Sequence, residues 1–391
     1  MLLAKNDMEK TVFHIAAEGG DTEMLQKLWE WITEKLSAEE VKELLLAKDA
    51  MEQTVFYIAA LLGETEMLQK LWEWSNEKLS ADEVKDFLLA KDKIEQTVFY
   101  NAAKCGKREV QQKLWGWSTQ KLSAKEIKEL LLAKDNAKQT AFHCAARRGE
   151  TEVLKKLWEW STEKLSTEDV KALLLAKNDM EITVFHTAAE GGKTEMLQKL
   201  WEWITEKLSA EEVKELLLAK NDMEKTVFHT AAEGGKTEML QKLWEWSTEK
   251  LSAEEVKELL LAKNNMEQTV FHTAAQSGET KVLQKLLEWS AEKLSAEEVK
   301  QLFLAKDEWK NTPFHIAAQN GKTDVLHILW DWSTEKLSAE EVKDLLLAKD
   351  KWKQTPFHVA AQHDQTEVLL KLWVWSTEKL SAEEVKQLLL A

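Results

Sequence analysis

The histidines are the side chains in this sequence best suited to metal binding or acid–base chemistry, and their spacing is regular. Seven of them share the pattern Thr-x-x-His and lie whole multiples of 43 residues apart: His14, His143, His186, His229, His272, His315 and His358. Stacked helical elements are separated by roughly 8–10 Å, whereas zinc holds its ligands at about 2.1 Å. We therefore expect no shared metal site, and we expect each histidine to bond nearby backbone or threonine hydroxyl groups.

The two cysteines are placed for neither a disulfide nor a catalytic site. Cys105 lies four helical positions later in its 43-residue segment than Cys144 does in the next one. That offset predicts α-carbons about 11 Å apart, and a disulfide needs less than about 7 Å. The remaining histidines, His327 and His363, form no recognised metal or catalytic spacing with His358, and no phosphate-binding loop or nucleophile motif occurs. The sequence predicts a protein that is not an enzyme and has no cofactor or metal.

Tryptophans recur as the motif Trp-x-Trp, which could form either an aromatic ladder for sugars or bases or a structural core. The second tryptophan occurs in every copy, from Trp31 to Trp375, and Leu287 replaces the first in one copy. Positions two apart do not share a helix face. Two apolar stripes result: Met24, Leu28 and Trp31 on one, and Leu25, Trp29 and Ile32 on the other. A helix that is apolar on two sides packs between partners, so the pattern favours the core.

The period of 43 residues organises the whole chain. Residues 5–391 divide into nine repeats without insertion or deletion, and residues 178–220 differ from 221–263 at only two positions. We number the repeats one to nine: 5–47, 48–90, 91–133, 134–176, 177–219, 220–262, 263–305, 306–348 and 349–391. We expect one continuous domain over residues 1–391, since a fixed period of this length is typical of solenoids. Near-identical copies fit recent tandem duplication and a designed consensus equally.

Each repeat is predicted to contain three helical segments, represented by residues 226–235, 237–251 and 252–263. Thr226 is in position to cap the first segment, and two repeats carry proline next, at the favoured first helical position. Ser252-x-x-Glu255 forms a capping box that starts the third segment. The predicted fold is therefore an all-α solenoid, a curved superhelical array of nine three-helix repeats.

Composition excludes several classes of partner. The formal net charge is −16, and such a field opposes binding to nucleic acid or to an anionic membrane. No apolar run approaches the roughly 18 residues of a membrane span, and the opening MLLAKNDMEK has no signal-peptide core. Two free thiols fit a reducing compartment. We expect a cytoplasmic protein.

The first two segments of each repeat resemble the ankyrin repeat. The family pattern T-P-L-H-x-A appears as 312-TPFHIAA-318 and 355-TPFHVAA-361, and as TVFH-x-AA elsewhere, followed by G-x-T-E-x-L-x-x-L. The resemblance covers essentially the whole chain, but the period is 43 against about 33 for the family, because a third helix is added. The glycine expected two positions before the threonine is Glu or Lys in every copy. Since glycine would permit a positive φ there, the shape of the hairpin loop is left open.

The resemblance implies a scaffold that binds a protein partner through the concave face, which is formed by the hairpin loops and the ends of the first helices. Variation between repeats concentrates there, as expected when a fixed frame carries a recognition surface; drift at exposed positions is the alternative. Residues 101–150 are net basic and hold the three arginines. The predicted partner-binding residues in this part of the chain are Tyr57, Leu61, Leu62, Tyr100, Asn101, Lys104, Arg108, Arg147 and Arg148.

A second candidate surface lies in repeats eight and nine. Trp309 and Trp352 replace the usual methionine three residues before the threonine, and we group them with Gln319, Gln362 and His363 as partner-binding candidates. The alternative to a binding scaffold is a structural or self-assembling array, because the first and last repeats lack the polar caps that solenoids normally carry and could stack end to end. A consensus design without a native ligand is a further alternative.

Overall fold

The computed structural model describes residues 4–390, which contain 27 α-helices and no β-strand. They form two compact units, the first ending at Asp179 and the second beginning at Met180. The helices of repeats one to four lie in the first unit and those of repeats five to nine in the second. The predicted all-α class with three helices per repeat is confirmed, and a single continuous domain over the whole chain stays a prediction.

The first unit contains four helical triplets in its described residues. In chain order the helices are α1 (Val12–Glu18), α2 (Thr22–Lys35), α3 (Ala38–Leu46), α4 (Val55–Leu62), α5 (Thr65–Lys78), α6 (Ala81–Leu89), α7 (Val98–Lys104), α8 (Arg108–Lys121), α9 (Ala124–Leu131), α10 (Ala141–Arg148), α11 (Thr151–Lys164) and α12 (Thr167–Leu174). Within a triplet the first helix packs against the second and the second against the third.

The second unit contains five triplets. They are α13 (Val184–Gly191), α14 (Thr194–Lys207), α15 (Ala210–Leu218), α16 (Val227–Glu233), α17 (Thr237–Lys250), α18 (Ala253–Leu261), α19 (Val270–Ser277), α20 (Thr280–Lys293), α21 (Ala296–Leu304), α22 (Pro313–Gln319), α23 (Thr323–Lys336), α24 (Ala339–Leu347), α25 (Pro356–Gln362), α26 (Thr366–Lys379) and α27 (Ala382–Leu390). Within each unit, first helices of consecutive repeats pack side by side, and so do second helices.

Side-chain caps explain where these helices begin. Thr226 caps α16, and the Ser252 amide donates to the Glu255 carboxylate at 2.8 Å while the Glu255 amide donates back to the Ser252 hydroxyl at 3.4 Å. Such a box satisfies backbone amides that have no partner inside the helix. The caps predicted from the sequence are therefore confirmed, and they fix the same break between the second and third helices in repeat after repeat.

The two tryptophans of the Trp-x-Trp motif face opposite neighbours. The first stacks on the second tryptophan of the following repeat: Trp29 lies on Trp74 with ring centroids 4.4 Å apart and an interplanar angle of 7°. Trp330 lies on Trp375 in the same way, at 4.6 Å and 8°. All four of these rings are buried. The predicted role of the tryptophans in packing is confirmed.

One repeat shows how the interface adapts when a ring is missing. Leu287 takes the place of the first tryptophan of repeat seven, so Trp332 of repeat eight has no indole there to stack on. Phe303 of α21, which occupies a leucine position, supplies the ring instead, at 5.8 Å and 20° from Trp332. Repeats seven and eight thus keep an aromatic contact, because repeat seven carries both the leucine that removes one ring and the phenylalanine that supplies another.

A hairpin loop precedes each first helix, and it keeps its shape without glycine. The Asp49 carboxylate accepts bonds from the amides of Met51 at 2.8 Å and Gln53 at 2.9 Å, which closes the loop. Glu52 has φ 59°. The equivalent residues of the other repeats also have positive φ: Glu9, Glu95, Lys138, Glu181, Glu224, Glu267, Lys310 and Lys353. A side chain therefore lies in the left-handed region at this position of every repeat, where glycine would be unstrained.

We expect Glu52→Gly to raise the unfolding free energy by about 0.5–1 kcal/mol, because removing the Cβ relieves more left-handed strain than the added chain entropy costs. Glu52 is exposed, so no packing is lost. The matched control is Glu52→Ala, which removes the same carboxylate but keeps the Cβ and should give no gain. Urea unfolding of both variants makes the comparison, and a glycine variant no more stable than the alanine variant would contradict the strain.

Candidate functional site

Four of the recurring histidines connect the first helix of their repeat to the hairpin of the next repeat: His14, His229, His272 and His315. In His272 the Nδ1 atom accepts from the Thr269 amide at 3.2 Å and lies 3.0 Å from the Thr269 hydroxyl. The Nε2 atom lies 3.0 Å from the Asn311 carbonyl oxygen, which can only accept, so Nε2 carries the proton. The predicted bonding to backbone and threonine is confirmed. Each such imidazole fixes the position of a neighbouring hairpin.

In repeat two a tyrosine replaces the histidine and reaches the same carbonyl group. The Tyr57 hydroxyl donates to the Asp92 carboxylate at 2.8 Å and lies 3.2 Å from the Gln96 carbonyl oxygen. The Asn101 amide of the next repeat donates to the same hydroxyl group. Both Tyr57 and Asn101 are buried, and burial raises the pKa of the tyrosine. These two predicted partner-binding residues therefore present almost no surface to a partner.

Repeat three also has tyrosine in place of the histidine, but the hydroxyl of this tyrosine contacts a different residue of the next repeat. The Tyr100 hydroxyl donates to the Asp135 carboxylate at 2.8 Å and lies 2.9 Å from Cys144 Sγ. Tyr100 is buried, and so is Cys144, whose thiol pKa is raised by burial. Each tyrosine thus meets a small polar residue 44 positions later. An alignment of the repeats shows that each tyrosine is followed by an unusual residue in the next repeat. Only the structure shows that the two residues of each pair are in contact.

The other predicted residues of the first unit are accessible to different degrees. Leu61 and Lys104 are half-buried, whereas Leu62, Arg108, Arg147 and Arg148 are exposed. The Lys104 ammonium donates to the Gln96 side chain at 3.2 Å. Arg108 lies 4.0 Å from Glu152, and both side chains are exposed, so this ion pair adds little stability.

Much of the variation at the end of the first helix reflects pairing inside the repeat. In five repeats the residue before the threonine bonds the residue eight positions later. The pairs are Lys10 with Glu18, Gln96 with Lys104, Gln139 with Arg147, Lys225 with Glu233, and Gln354 with Gln362. This relation was not predicted from the sequence, although the constant spacing of eight residues is its signal.

A groove of about 720 Å³ runs along the hairpins and first helices of repeats six to nine in the second unit. Its lining falls into columns of equivalent residues. The hairpin column is Met223, Met266, Trp309 and Trp352; the column before the threonine is Lys225, Gln268, Asn311 and Gln354; the column after the histidine is Thr273, Ile316 and Val359; and the helix-end column is Glu233, Gln276, Gln319 and Gln362. Asn320 and His363 also line the groove.

The two tryptophans of the groove are held by their hairpin backbones. The Trp309 amide donates to the Asp307 carboxylate at 3.0 Å, and the Trp309 carbonyl oxygen accepts from the Lys351 amide of the next hairpin at 2.7 Å. The Trp352 amide donates to Asp350 at 2.8 Å. Trp309 is half-buried, whereas the Trp352 side chain is 63% exposed. The backbone of each tryptophan is therefore held by hydrogen bonds, while its indole ring remains accessible.

The groove is largely uncharged in repeats seven to nine. Its side chains there are mainly primary amides, which can donate and accept at once. Asp307 and Asp350 are buried below the surface and occupied by backbone amides, and burial raises the pKa of Asp307. The one ion pair of the lining is Lys225 with Glu233, 2.7 Å apart, in repeat six. Five predicted residues, Trp309, Gln319, Trp352, Gln362 and His363, are thus brought together in an apolar and amide-rich groove.

The cysteines and the metal-binding side chains of the described residues are separate from one another. Cys105 and Cys144 are free thiols. Within residues 4–390 no group of three or more histidine, cysteine or acidic side chains is arranged to hold a metal ion. Over the same residues, every helix is too short or too polar to cross a lipid bilayer.

Stacked helical repeats with hairpins along one edge define a solenoid repeat protein. A family model described as ankyrin repeats in three copies matches residues 204–297 and 289–374, a range within the second unit that includes the entire groove. Over residues 204–374 the chain is therefore similar to ankyrin repeats, and its described residues form a repeated all-helical array. A search of the curated proteins finds no match. Ankyrin repeats are generally protein–protein interaction modules without catalytic activity.

The buried histidines make the second unit sensitive to mild acid. Burial lowers the pKa of His229, His272 and His315 to about 4, whereas an unfolded histidine titrates near pH 6.5. Between these values the unfolded chain binds protons that the folded chain does not. We expect the unfolding free energy to fall by up to about 1.4 kcal/mol per pH unit for each histidine as the pH drops below about 6.5. Above about pH 6.5 these histidines make the unfolding free energy no more dependent on pH.

Urea unfolding at about pH 7.5, 6.5 and 5.5 measures this slope. His272→Gln should reduce it by the contribution of one proton, and the exposed His363→Gln provides the control. Because the raised pKa of Asp307 acts in the opposite direction at lower pH, the comparison stops above pH 5. An unfolding free energy that is flat from pH 7.5 to 5.5 would contradict the buried neutral histidines.

Proposed function

We propose that this protein is a non-enzymatic scaffold that binds another protein, and that the groove of the second unit receives an extended, uncharged segment of that partner. The observation that carries the proposal is the pair of accessible indoles, Trp309 and Trp352, which line one groove together with several primary amide side chains. Tryptophan dominates binding energy in many interfaces. The charged residues next to the two tryptophans in the hairpins, Glu308, Lys310, Lys351 and Lys353, are not part of the groove lining.

The dimensions of the groove suit a polyproline II segment. Four repeats spaced by roughly 10 Å span about 30 Å, which accommodates about ten residues at 3.1 Å each. Indole faces pack well on prolyl rings, and proline-rich segments typically dock in aromatic-lined grooves. The amides of Gln319 and Gln276 can donate to the peptide carbonyl oxygens, which are exposed in this conformation.

The exposed residues of the first unit are a proposed second contact. Leu62, Arg108, Arg147 and Arg148 combine an apolar side chain with three cations, and arginine is favoured at interfaces. Leu61 and Lys104 lie beside them with less accessible surface. The net charge of −16 supports a protein partner over nucleic acid or an anionic membrane, and two free thiols support a cytoplasmic location.

The groove is tested by selecting ten-residue peptides from a displayed library against the full chain and measuring their affinities for variants by fluorescence anisotropy. We expect the selected peptides to be proline-rich and uncharged. Trp352→Ala and Trp309→Ala should each weaken binding about tenfold or more, as loss of a central aromatic contact does. Gln319→Ala should weaken it less.

Two control variants locate the site. Met51→Ala changes the same hairpin position in the first unit and should leave affinity unchanged, while Arg147→Ala with Arg148→Ala reports binding by the second contact. Peptides that bind Trp309→Ala and Trp352→Ala as tightly as the parent chain would show that the groove is not their site. Selection of strongly charged peptides would contradict its uncharged chemistry.

A further inference from the structure

The ends of the first helices of repeats two to four form one surface of the first unit. Helices α4, α7 and α10 pack side by side, so residues at equivalent positions lie in rows across them. Leu61, Lys104 and Arg147 occupy one row, and Leu62 and Arg148 lie in the next. We call these five residues the helix-end surface. It changes from apolar side chains in repeat two to cationic side chains in repeats three and four.

The cations at the centre of the helix-end surface are held by uncharged partners. The Lys104 ammonium donates to the Gln96 side chain at 3.2 Å, and the Arg147 guanidinium donates to the Gln139 side chain. In repeats one and six, a lysine and a glutamate occupy the same two positions and form an ion pair, so their charges cancel. An amide accepts a bond without carrying a charge. Repeats three and four therefore keep the pairing and leave a positive charge at the surface.

The two cations lie close to the same buried thiol. The Cys144 Sγ atom lies 3.8 Å from the side-chain oxygen of Gln139, which also accepts from Arg147. Burial raises the pKa of this thiol, whereas its hydrogen bond with Tyr100 and the positive charges of Arg147 and Lys104 act to lower it. Because Lys104 and Arg147 both act on one thiol, a single extended segment can reach both charges.

The leucines give the same surface an apolar end. Leu62 is 39% exposed and Leu61 is half-buried. Repeats one, five and six have glutamate and glycine at these two positions, so the leucine pair is not a constant part of the repeat. Leucines beside cations that are not neutralised suit a ligand that is partly apolar and partly anionic.

The charge distribution favours an acidic peptide over a nucleic acid. Repeat three contains nine lysine and arginine residues against five acidic ones, whereas the formal net charge of the chain is −16. The positive region is therefore local, and a short acidic segment needs only such a region. A nucleic acid carries a negative charge at every nucleotide and binds an acidic protein poorly. The leucines add nothing to phosphate binding, but they can bury an apolar side chain.

The spacing of the helices sets the spacing of the ligand residues. Packed helices lie roughly 8–10 Å apart, and an extended chain advances about 3.3 Å per residue. Side chains that face consecutive repeats are therefore about three positions apart in the ligand. A segment that crosses repeats two to four places one residue over the leucines, one beside Lys104 and one beside the two arginines.

We propose that the helix-end surface binds an acidic segment of the protein partner, in which acidic residues lie about three and six positions from an apolar residue. The apolar residue packs on Leu61 and Leu62. The nearer carboxylate pairs with Lys104, and the farther one with Arg147 and Arg148, since arginine can hold a carboxylate through two parallel bonds. This inference rests on the second contact of the proposed scaffold and names the chemistry of the segment that this contact takes.

Fluorescein-labelled peptides of about twelve residues, measured by fluorescence anisotropy on the full chain, test the surface. The test peptides consist of glycine and serine with one leucine and two glutamates at the spacing above, one peptide for each chain direction. The reference peptides carry glutamine in place of both glutamates. We expect one of the test peptides to bind about tenfold or more tightly than its reference, with an affinity that falls as salt is added.

Variants of the chain locate the bound peptide. Arg147→Gln and Lys104→Gln should each weaken binding several-fold, and both should fold, because repeats seven to nine carry glutamine at this position. Leu62→Ser, which places the serine of repeat seven in repeat two, should also weaken it. Lys125→Gln removes the same charge from the exposed face of α9 and should leave the affinity within about twofold. Circular dichroism confirms that each variant is folded.

Two further measurements separate this surface from the groove and from a general attraction of anions. The test peptide should bind the variant with both Trp309→Ala and Trp352→Ala as tightly as the parent chain, so acidic peptides selected by the full chain are assigned to one surface or the other. A labelled oligothymidylate of equal length should bind more weakly than the test peptide.

Four results would each overturn the proposal. They are test peptides that bind no better than their references, a loss of affinity with Lys125→Gln equal to that with Arg147→Gln, loss of binding in the Trp309→Ala and Trp352→Ala variant, and tighter binding of the oligothymidylate. None of them changes the affinities of peptides selected for the groove, so a failure here is distinguishable from a failure of the groove as a binding site.

Discussion

The stack of one tryptophan on another between consecutive repeats is the interaction on which the rest of the structure depends. Because the two rings of Trp-x-Trp point to opposite sides of the second helix, that helix is held between both neighbours in the interior of a unit. Burial of such rings contributes several kcal/mol each through apolar area, and the ring contact adds roughly 0.5–1.5 kcal/mol. The added third helix, started by its capping box, completes the enclosure of the second helix from the other side.

The stacked repeats also position the candidate groove of repeats six to nine. In repeats six to eight the buried histidines bond the next hairpin. Neighbouring hairpins are also joined directly, as in the bond from the Lys351 amide to the Trp309 carbonyl oxygen. The side chains of Trp309 and Trp352 therefore project from backbones that have little freedom. A preorganised groove of this kind lowers the entropy lost when an extended segment binds.

Local and periodic features were predictable from the sequence, because capping boxes, the repeat period and the two stripes of the second helix depend on spacing along one chain. Features that depend on contacts between repeats were not. The backbone conformation at Glu52 is imposed by its hairpin, against the preference of the residue. The pairing of Tyr57 with Asn101 joins residues 44 positions apart. Gln111 occupies a leucine position and is fully buried, and its side-chain amide has no hydrogen-bond partner among the described residues. Nothing in the structure explains this substitution.

The central claim, that stacked tryptophans couple neighbouring repeats, is tested most directly by a double-mutant cycle on Trp244 and Trp289, whose rings lie 4.6 Å apart. Leucine replaces each tryptophan, since Leu287 shows that the position equivalent to Trp244 accepts it. Urea unfolding of both single variants and the double variant should reveal a coupling free energy of about 1 kcal/mol. The same cycle on Trp201 and Trp289, which belong to different stacks, should be additive within about 0.5 kcal/mol. Additivity for Trp244 and Trp289 as well would contradict the account.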